Sequence, residues 1–430
     1  MTIGVLFLIF IVLIVVGIPI GMVLAISGIL PSMVDSMFPA NVPYVIRSMI
    51  NGVDSFPILA VPMFILSGNI MAKGKISEKL FNFFAYFIGN LTAGLPIATI
   101  VTCLFYGAIS GSGPATTAAV GAMTIPILVG RGYDKTFCTS LVAVAGGLGV
   151  IIPPSIPFIF YGQSSGASVG NLFIAGVFPG LLIGACLMVY SWYYCKKNGE
   201  DKEKLSSYTK EMRKNGFFKL FLDSFWALLS PVIILGSIYS GIASPTEAAV
   251  ISVFYSLIVA GFIYRTITFK DIKETFVDSA KTYSSILFII AAAIGFARIL
   301  TYYDAPDIIA KAISGTVSSR IGFLIIVNII LLFVGMIMDT TPAILILTSI
   351  FLPTAQAYGI DPIHFGVIMV VNLAIGFVTP PLGVNLFVAS SISGVPIEKI
   401  VHKAVPFIVS FIIALAIITF VPSISLVLIK

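Results

Sequence analysis

The sequence predicts an all-α polytopic membrane protein built from two inverted repeats. Each repeat holds a re-entrant helical hairpin and a helix broken at Pro-Pro. Three observations carry this. Of 430 residues, 58% are hydrophobic and 10% charged, whereas a soluble domain has about 25% charged residues. Too little polar surface remains to cover a globule in water. Long apolar runs such as Thr2–Leu30 and Phe407–Ile429 recur, roughly ten by the rule that a crossing needs about 20 apolar residues. Finally, helix-breaking motifs occur as two pairs, in the same order in each half of the chain.

The first repeat is expected over residues 1–195. Thr2–Leu30 has no basic n-region and no A-x-A site, so it reads as a retained crossing and not a removable signal peptide. Phe56–Met71 returns. Residues 94–131 form a hairpin that enters and leaves on one side, around "SGSGP" (Ser110–Pro114). Residues 135–170 form one crossing broken at "IPPS" (Ile152–Ser155), and Leu172–Cys195 returns.

A linker at 196–218 follows. Within it, Lys196–Gly216 holds seven basic and four acidic residues and reads as a solvent loop. An extra crossing, Lys219–Tyr239, opens the second half (219–430) and inverts the second copy. "SPTE" (Ser244–Glu247) is a capping box with Pro at the first helical position and starts a helix. The second hairpin is expected at 322–358 around "MDTTP" (Met338–Pro342), and the second broken helix at 361–393 around "TPPL" (Thr379–Leu382).

The halves superpose in sequence. A shift of 228 lays Gly94–Ala115 on Gly322–Ala343, with Pro114 on Pro342. A shift of 227 then lays Gly149–Ser155 on Gly376–Leu382. Such internal symmetry marks transporter folds. Charge supports the orientation. With the linker cytoplasmic, 19 of the 24 Lys/Arg residues face the cytoplasm, in loops at 73–79, 131–135, 196–219, 265–281 and 399–403. Arg47, Arg298, Lys311, Arg320 and Lys430 lie toward the outer side. This is the positive-inside pattern, so the net charge of +6 reflects membrane orientation and not nucleic-acid binding.

Each motif has a functional and a plain reading. Ser110–Pro114 suits a hairpin tip whose carbonyls and hydroxyls hold a small cation, with a helix N-terminus facing an anion; equally, its glycines suit close helix packing. Asp339 is the only charge between Arg320 and Asp361. An ionisable group at that depth suggests function, and it also suits an N-cap; both can hold. Pro-Pro removes consecutive N–H donors and frees upstream carbonyls at Gly149, Val150, Gly376 and Val378. Thr379 adds a hydroxyl and Asn385 a carboxamide. The same prolines also suit structural kinks. Cys103, Cys138, Cys186 and Cys195 lack C-x-x-C spacing and read as small core residues. His364 and His402 read as solvated or capping groups near span ends. Arg298 either snorkels or meets an anionic substrate, and snorkelling is the favoured reading.

The stretches "AVPMFILSG" (60–68), "GAISGSGPATTAAVG" (107–121), "GVIIPPSIPFIFYG" (149–162), "GIASPTEAAV" (241–250) and "GFVTPPLGVNLFVAS" (376–390) resemble the large membrane subunit of TRAP (tripartite ATP-independent periplasmic) transporters, within the ion transporter superfamily. The resemblance spans essentially the whole chain. It implies an elevator with a scaffold and a moving transport domain, located in a bacterial or archaeal cytoplasmic (inner) membrane. It implies uptake of an organic acid anion driven by Na⁺. The partners would be a small four-helix membrane subunit, here a separate chain, and a periplasmic substrate-binding protein. By resemblance, one sodium site joins Ser110, Ser112 and Gly113 to Gly147, Val150 and Pro153. The other joins Gly335, Asp339 and Thr341 to Gly376, Val378 and Thr379. Candidate substrate contacts are Ser112, Thr116, Pro154, Ser155, Asp339, Thr340, Pro381 and Asn385. The alternatives are an autonomous symporter or exchanger of the same superfamily and, remotely, an intramembrane enzyme. An enzyme needs a base beside Ser112 or a second carboxylate beside Asp339, and neither is evident.

Overall fold

A computed structural model describes residues 3–34, 38–214, 216–316 and 319–429. Thr2 and Lys430 lie outside the described residues. In chain order the helices are α1 (Ile3–Val15), α2 (Ile20–Val34), α3 (Val42–Val53), α4 (Ala60–Lys73), α5 (Ile76–Ile88), α6 (Gly94–Ser110), α7 (Gly113–Gly130), α8 (Lys135–Gly146), α9 (Ile156–Ser165), α10 (Val169–Asn198) and α11 (Lys202–Lys214). Then come α12 (Phe217–Tyr239), α13 (Pro245–Leu257), α14 (Phe269–Tyr302), α15 (Ala305–Thr316), α16 (Arg320–Ile337), α17 (Thr340–Ala357), α18 (Pro362–Gly376), α19 (Val384–Ser393), α20 (Ile397–Phe420) and α21 (Ser423–Leu426). Among the described residues, nine helical stretches are long and apolar enough to cross a membrane.

The helix starts follow from local chemistry. Asp134 and Asp361 accept from the first-turn N–H groups of α8 and α18. The capping box at Ser244–Glu247 is present, and Thr268–Asp271 forms a second one at α14. These caps satisfy donors that a helix end leaves free.

Two groups of helices result. One is a frame in which α14 packs along α2, α3 and α4, and α13 joins α4 to α12. The other is a core of α6–α10 and α16–α20. In the core, α7 packs on α19 and α17 on α9, while α8 packs on α20 and α18 on α10. The element order hairpin, broken helix, long helix therefore occurs twice, and each copy packs reciprocally on the other.

Three readings need correction. Thr2–Leu30 is not one continuous helix. Gly17, at φ +88°, and Pro19 divide it into α1 and α2, since Pro lacks the N–H and disfavours helix at the residue before it. The linker is not a plain loop, because α11 occupies most of it. Leu205 and Thr209 are buried one turn apart, with Tyr208 and Met212 packed against the core cluster, while the Lys and Glu residues face outward. His364 is fully buried, its ring nitrogens 3.3 Å from Ser425 Oγ and 3.3 Å from the Thr419 carbonyl.

The five basic loops contact one another directly or through the helix ends beside them. Thr266 donates to the Gly74 carbonyl at 3.1 Å, and Lys73 pairs with Glu274 at 3.5 Å. Ser224 donates to the Lys79 carbonyl at 3.0 Å. Arg213 donates to the Tyr86 carbonyl at 3.1 Å, and Arg131 lies over the Tyr208 ring. Lys403 lies over Tyr194, just before the linker. Glu200 accepts from the Ala93 N–H at 2.9 Å and from the Tyr133 hydroxyl at 2.6 Å. It thereby holds both feet of the first hairpin. Burial, and then this hydrogen bond, push the Tyr133 phenol well above its ordinary pKa.

The arrangement sets an accessibility pattern. In a cysteine-free background, Lys210→Cys and Lys273→Cys should react with an impermeant maleimide only in inside-out vesicles. Ser319→Cys, at the start of α16, should react only in right-side-out vesicles. Labelling of Ser319→Cys and Lys210→Cys from the same side would refute the inverted second half.

Candidate ion and substrate site

The first hairpin ends α6 at Ser110, turns at Gly111, and restarts as α7 at Gly113. Gly111 has φ +61°, a conformation that a side chain disfavours. Its missing Cβ would also sit 2.9 Å from the Pro154 carbonyl oxygen. The Gly111 carbonyl accepts from the Ile156 N–H at 3.3 Å, tying the tip to the segment after the first Pro-Pro. The Ser112 carbonyl accepts from Thr116 N–H at 3.0 Å and Thr116 Oγ1 at 2.8 Å. Ser110 Oγ lies 2.9 Å from Thr116 Oγ1.

Opposite this tip, α8 ends and a 3-10 turn runs over Gly147–Val150. A Cβ on Gly149 would stand 2.3 Å from Thr116 Oγ1 and 2.7 Å from the Ser112 carbonyl oxygen. One on Gly146 would strike Thr117 Oγ1. Gly146 and Gly149 thus meet the hairpin, whereas the open side of Gly147 faces Phe411 and the Ala374 carbonyl. Thr117 Oγ1 is buried and has no hydrogen-bond partner within the protein. An orphan hydroxyl costs about 1–3 kcal/mol. A small cation among carbonyl and hydroxyl oxygens would remove that cost. Ser155 caps α9 and donates to the Val150 carbonyl. Pro153 and Pro154 are buried beside it.

The second hairpin ends α16 at Ile337 and restarts α17 at Thr340, with Asp339 as N-cap. Asp339 is half-buried, and one of its oxygens accepts from the Thr340 N–H at 2.9 Å. Thr340 and Thr341 are buried in the first turn. Here too the tip is tied past Pro-Pro, because the Leu382 N–H donates to the Met336 carbonyl at 3.0 Å. Gly335 and Gly376 lie back to back: a Cβ on Gly376 would fall 2.2 Å from the Gly335 carbonyl oxygen. Thr379 Oγ1 donates to the Ile375 carbonyl at 2.7 Å, and the Val378 N–H to the same carbonyl at 3.1 Å. Pro153–Pro154 and Pro380–Pro381 are both cis.

The two centres touch. The Phe377 ring is 3.1 Å from a Cβ position on Gly113. Asn385, fully buried, donates to the Ala143 carbonyl at 3.0 Å, which reaches from the second broken helix to the first. Its Oδ1 has no partner in the protein. The structure therefore sets each hairpin tip against a Pro-Pro break, while Gly147 turns its open side away from the first tip. The candidate substrate residues divide. Thr116, Pro154, Ser155, Thr340 and Asn385 are buried, Ser112 and Asp339 are half-buried, and Pro381 is exposed. Sequence reasoning missed Gly146, Thr117 and Phe377. The small residues at 146 and 149, one helical turn apart, are the signal that could have found the contact with α7.

Among the described residues, no three His, Cys, Asp or Glu side chains form a metal cluster. The donors present are carbonyl, hydroxyl and carboxamide oxygens with one carboxylate, a set suited to a hard cation. A profile of the family described as "Tripartite ATP-independent periplasmic transporter, DctM component" matches residues 7–424. The chain belongs to this family.

Its relatives agree. It is 43% identical over 98% of its length to the isethionate TRAP transporter permease protein DctMQ of Oleidesulfovibrio alaskensis, of which it covers 65%. It is 41% identical to the C4-dicarboxylate TRAP transporter large permease protein DctM of Pseudomonas aeruginosa, over 87% of this chain and 86% of that one. It is 34% identical to the 2,3-diketo-L-gulonate TRAP transporter large permease protein YiaN of Escherichia coli, over 96% of each chain. The solved YdaH transporter of Alcanivorax borkumensis, described as having an unusual topology, shares the fold. Its TM-score is 0.60 at 13% identity, covering 96% of this chain and 97% of that one. The DctM-family chain is thus a large permease subunit of a solute transporter, multi-pass in the inner membrane, and not an enzyme.

Two substitutions test the geometry. Gly376→Ala gains about 1 kcal/mol of helix propensity but must push two backbones apart, which costs about 1–3 kcal/mol or more. The net effect should be a lower melting temperature. Thr117→Val removes an unpartnered hydroxyl at nearly constant volume. It should melt at the parental temperature or above. A lower melting temperature would show that the hydroxyl has a partner.

Proposed function

We propose that this chain is the permease of a sodium-coupled importer of a small organic acid anion. The anion arrives on a periplasmic binding protein, and a small membrane subunit completes the complex. The core of α6–α10 and α16–α20 moves as an elevator against the frame. Na⁺ binds where each hairpin tip meets its broken helix, and the anion lies between the tips.

One observation carries this reading. At both tips, glycines bring a hairpin backbone against a Pro-Pro break, and oxygen donors cluster there. Thr117 Oγ1 and Asn385 Oδ1 are left unpartnered in the protein, and Asp339 is only partly used. Bound Na⁺ would order the tip against the break and so favour one position of the core over another, since a ligand shifts a conformational equilibrium by its differential affinity. The names of the relatives, for isethionate, C4-dicarboxylates and 2,3-diketo-L-gulonate, support the anion class.

The test is uptake into proteoliposomes holding both membrane subunits, with binding protein outside, screened over succinate, isethionate and 2,3-diketo-L-gulonate. Uptake should require an inward sodium gradient. Asp339→Asn should raise the half-saturating sodium concentration about tenfold, which is ~1.4 kcal/mol. Uptake that is indifferent to sodium would refute the coupling. Uptake by the large subunit without binding protein would favour an autonomous symporter.

A further inference from the structure

A second polar site lies away from the hairpin tips. A cavity of about 580 Å³ opens between frame helices α3 and α14 and core helices α9 and α17. Tyr44, Ser48 and Asn51 line it from α3, Arg298 from α14, Gln163 from α9 and Ser349 from α17. No acidic residue is among its lining residues. Arg298 makes no ion pair with another side chain among the described residues. Asp54, two residues past Gly52, does not line the cavity.

Its depth follows from helix geometry. α14 starts among the basic loops, where Lys270 and Lys73 share Glu274. Arg298 is 28 residues beyond Lys270, or ~42 Å along the axis at 1.5 Å per residue. That exceeds the ~30 Å hydrocarbon core, so the guanidinium lies at the opposite face. It lines a polar cavity there, which favours the substrate-facing alternative over simple snorkelling.

The walls connect to the tips. α9 runs from its cap Ser155, beside the first tip, and reaches Gln163 about 12 Å later. α17 begins at Asp339 and reaches Ser349 about 15 Å later. Ser55 donates to Gln163 Oε1 at 2.7 Å, so the acceptor end of that amide is engaged and donor capacity remains. The lining thus offers one guanidinium, amide donors and five hydroxyls, of which those of Ser164, Thr301 and Ser349 already donate to helix carbonyls. Arg pairs with carboxylate or sulfonate oxygens through two parallel hydrogen bonds, and a cation in a cleft also raises local anion concentration.

We propose that the Arg298 cavity is an outer receiving subsite for the organic oxyanion, distinct from the sites at the hairpin tips. The proposal rests on the transport reading above. Because two walls belong to the core and two to the frame, movement of the core relative to the frame changes the cavity. The anion is held there before it passes to the tips.

The test has two arms. In the first, purified protein in phosphatidylcholine vesicles without sodium is treated with phenylglyoxal, and the modification rate of each arginine is read by mass spectrometry. Succinate or isethionate should slow modification of Arg298 roughly threefold or more, as expected for a paired guanidinium. Arg47 and Arg320 should be unaffected, and succinamide or chloride at matched ionic strength should protect nothing. Equal protection by chloride, or none by either oxyanion, overturns the proposal. So does protection by phosphatidylglycerol vesicles alone, which would make a lipid headgroup the occupant.

In the second arm, Arg298→Gln should raise the KM for uptake roughly tenfold while kcat and the sodium dependence hold, and Arg298→Lys should recover part of it. An unchanged KM overturns the proposal. Absence of sodium-driven uptake in the parent would refute the coupling reading alone, because the protection arm needs neither sodium nor turnover.

Discussion

Every break in a helix inside a bilayer frees peptide groups that lipid cannot satisfy, at several kcal/mol each. The architecture depends on how these groups are satisfied. At both hairpin tips the solution is the same: a carbonyl of the tip, from Gly111 or Met336, accepts the N–H of a residue just past the Pro-Pro of the facing helix. Each tip is therefore bonded to the break it faces. The glycines follow from this, because backbones that bond across such a gap cannot carry side chains between them. Gly107 against Gly149, and Gly335 against Gly376, are where that limit is met.

The two centres satisfy the same constraint with different chemistry. The first is neutral and closed. Its serine and threonine hydroxyls are largely engaged with each other and with carbonyls, and Pro153–Ser155 are buried. The second carries the carboxylate of Asp339 and is more open, with Thr379 half-buried and Pro381 exposed. On the proposed reading, an anionic ligand lying between them would meet the closed side through helix N-termini and the open side through a cation proposed to bind at Asp339. Asn385, bonded to Ala143, and Phe377, packed on Gly113, keep the two centres in register.

Much of this was legible in the sequence, because Gly and Pro act locally. Gly111, Pro114, Pro153, Pro342 and Pro380 specify breaks through their own dihedral limits, whatever surrounds them. The five basic loops were legible because membrane orientation selects for them. What depended on tertiary placement was not legible. His364 looks like a polar end group until α21 and the end of α20 close over it. Thr117 looks like any helix threonine until Gly146 is seen beneath it. Arg298 has the spacing of an interfacial side chain, and only the approach of α9 and α17 reveals the cavity it lines. The helix α11 was hidden by its charge, although Leu205, Tyr208, Thr209 and Met212 trace a buried stripe at helical spacing.

The grip of Glu200 on the first hairpin has a mechanical consequence. One carboxylate bonds the N–H at the start of α6 and the hydroxyl just past the end of α7, while α11 rests on Tyr86 of α5 and on Asn90 just past it. Hydrogen bonds to a charged group contribute about 1.5–3 kcal/mol each. If the core moves relative to α5 in the proposed elevator, that movement must either carry α11 along or break these bonds. In such a movement the linker would act as a detent: it would resist small displacements, yield above a threshold, and so sharpen a graded drift into a step between two resting positions.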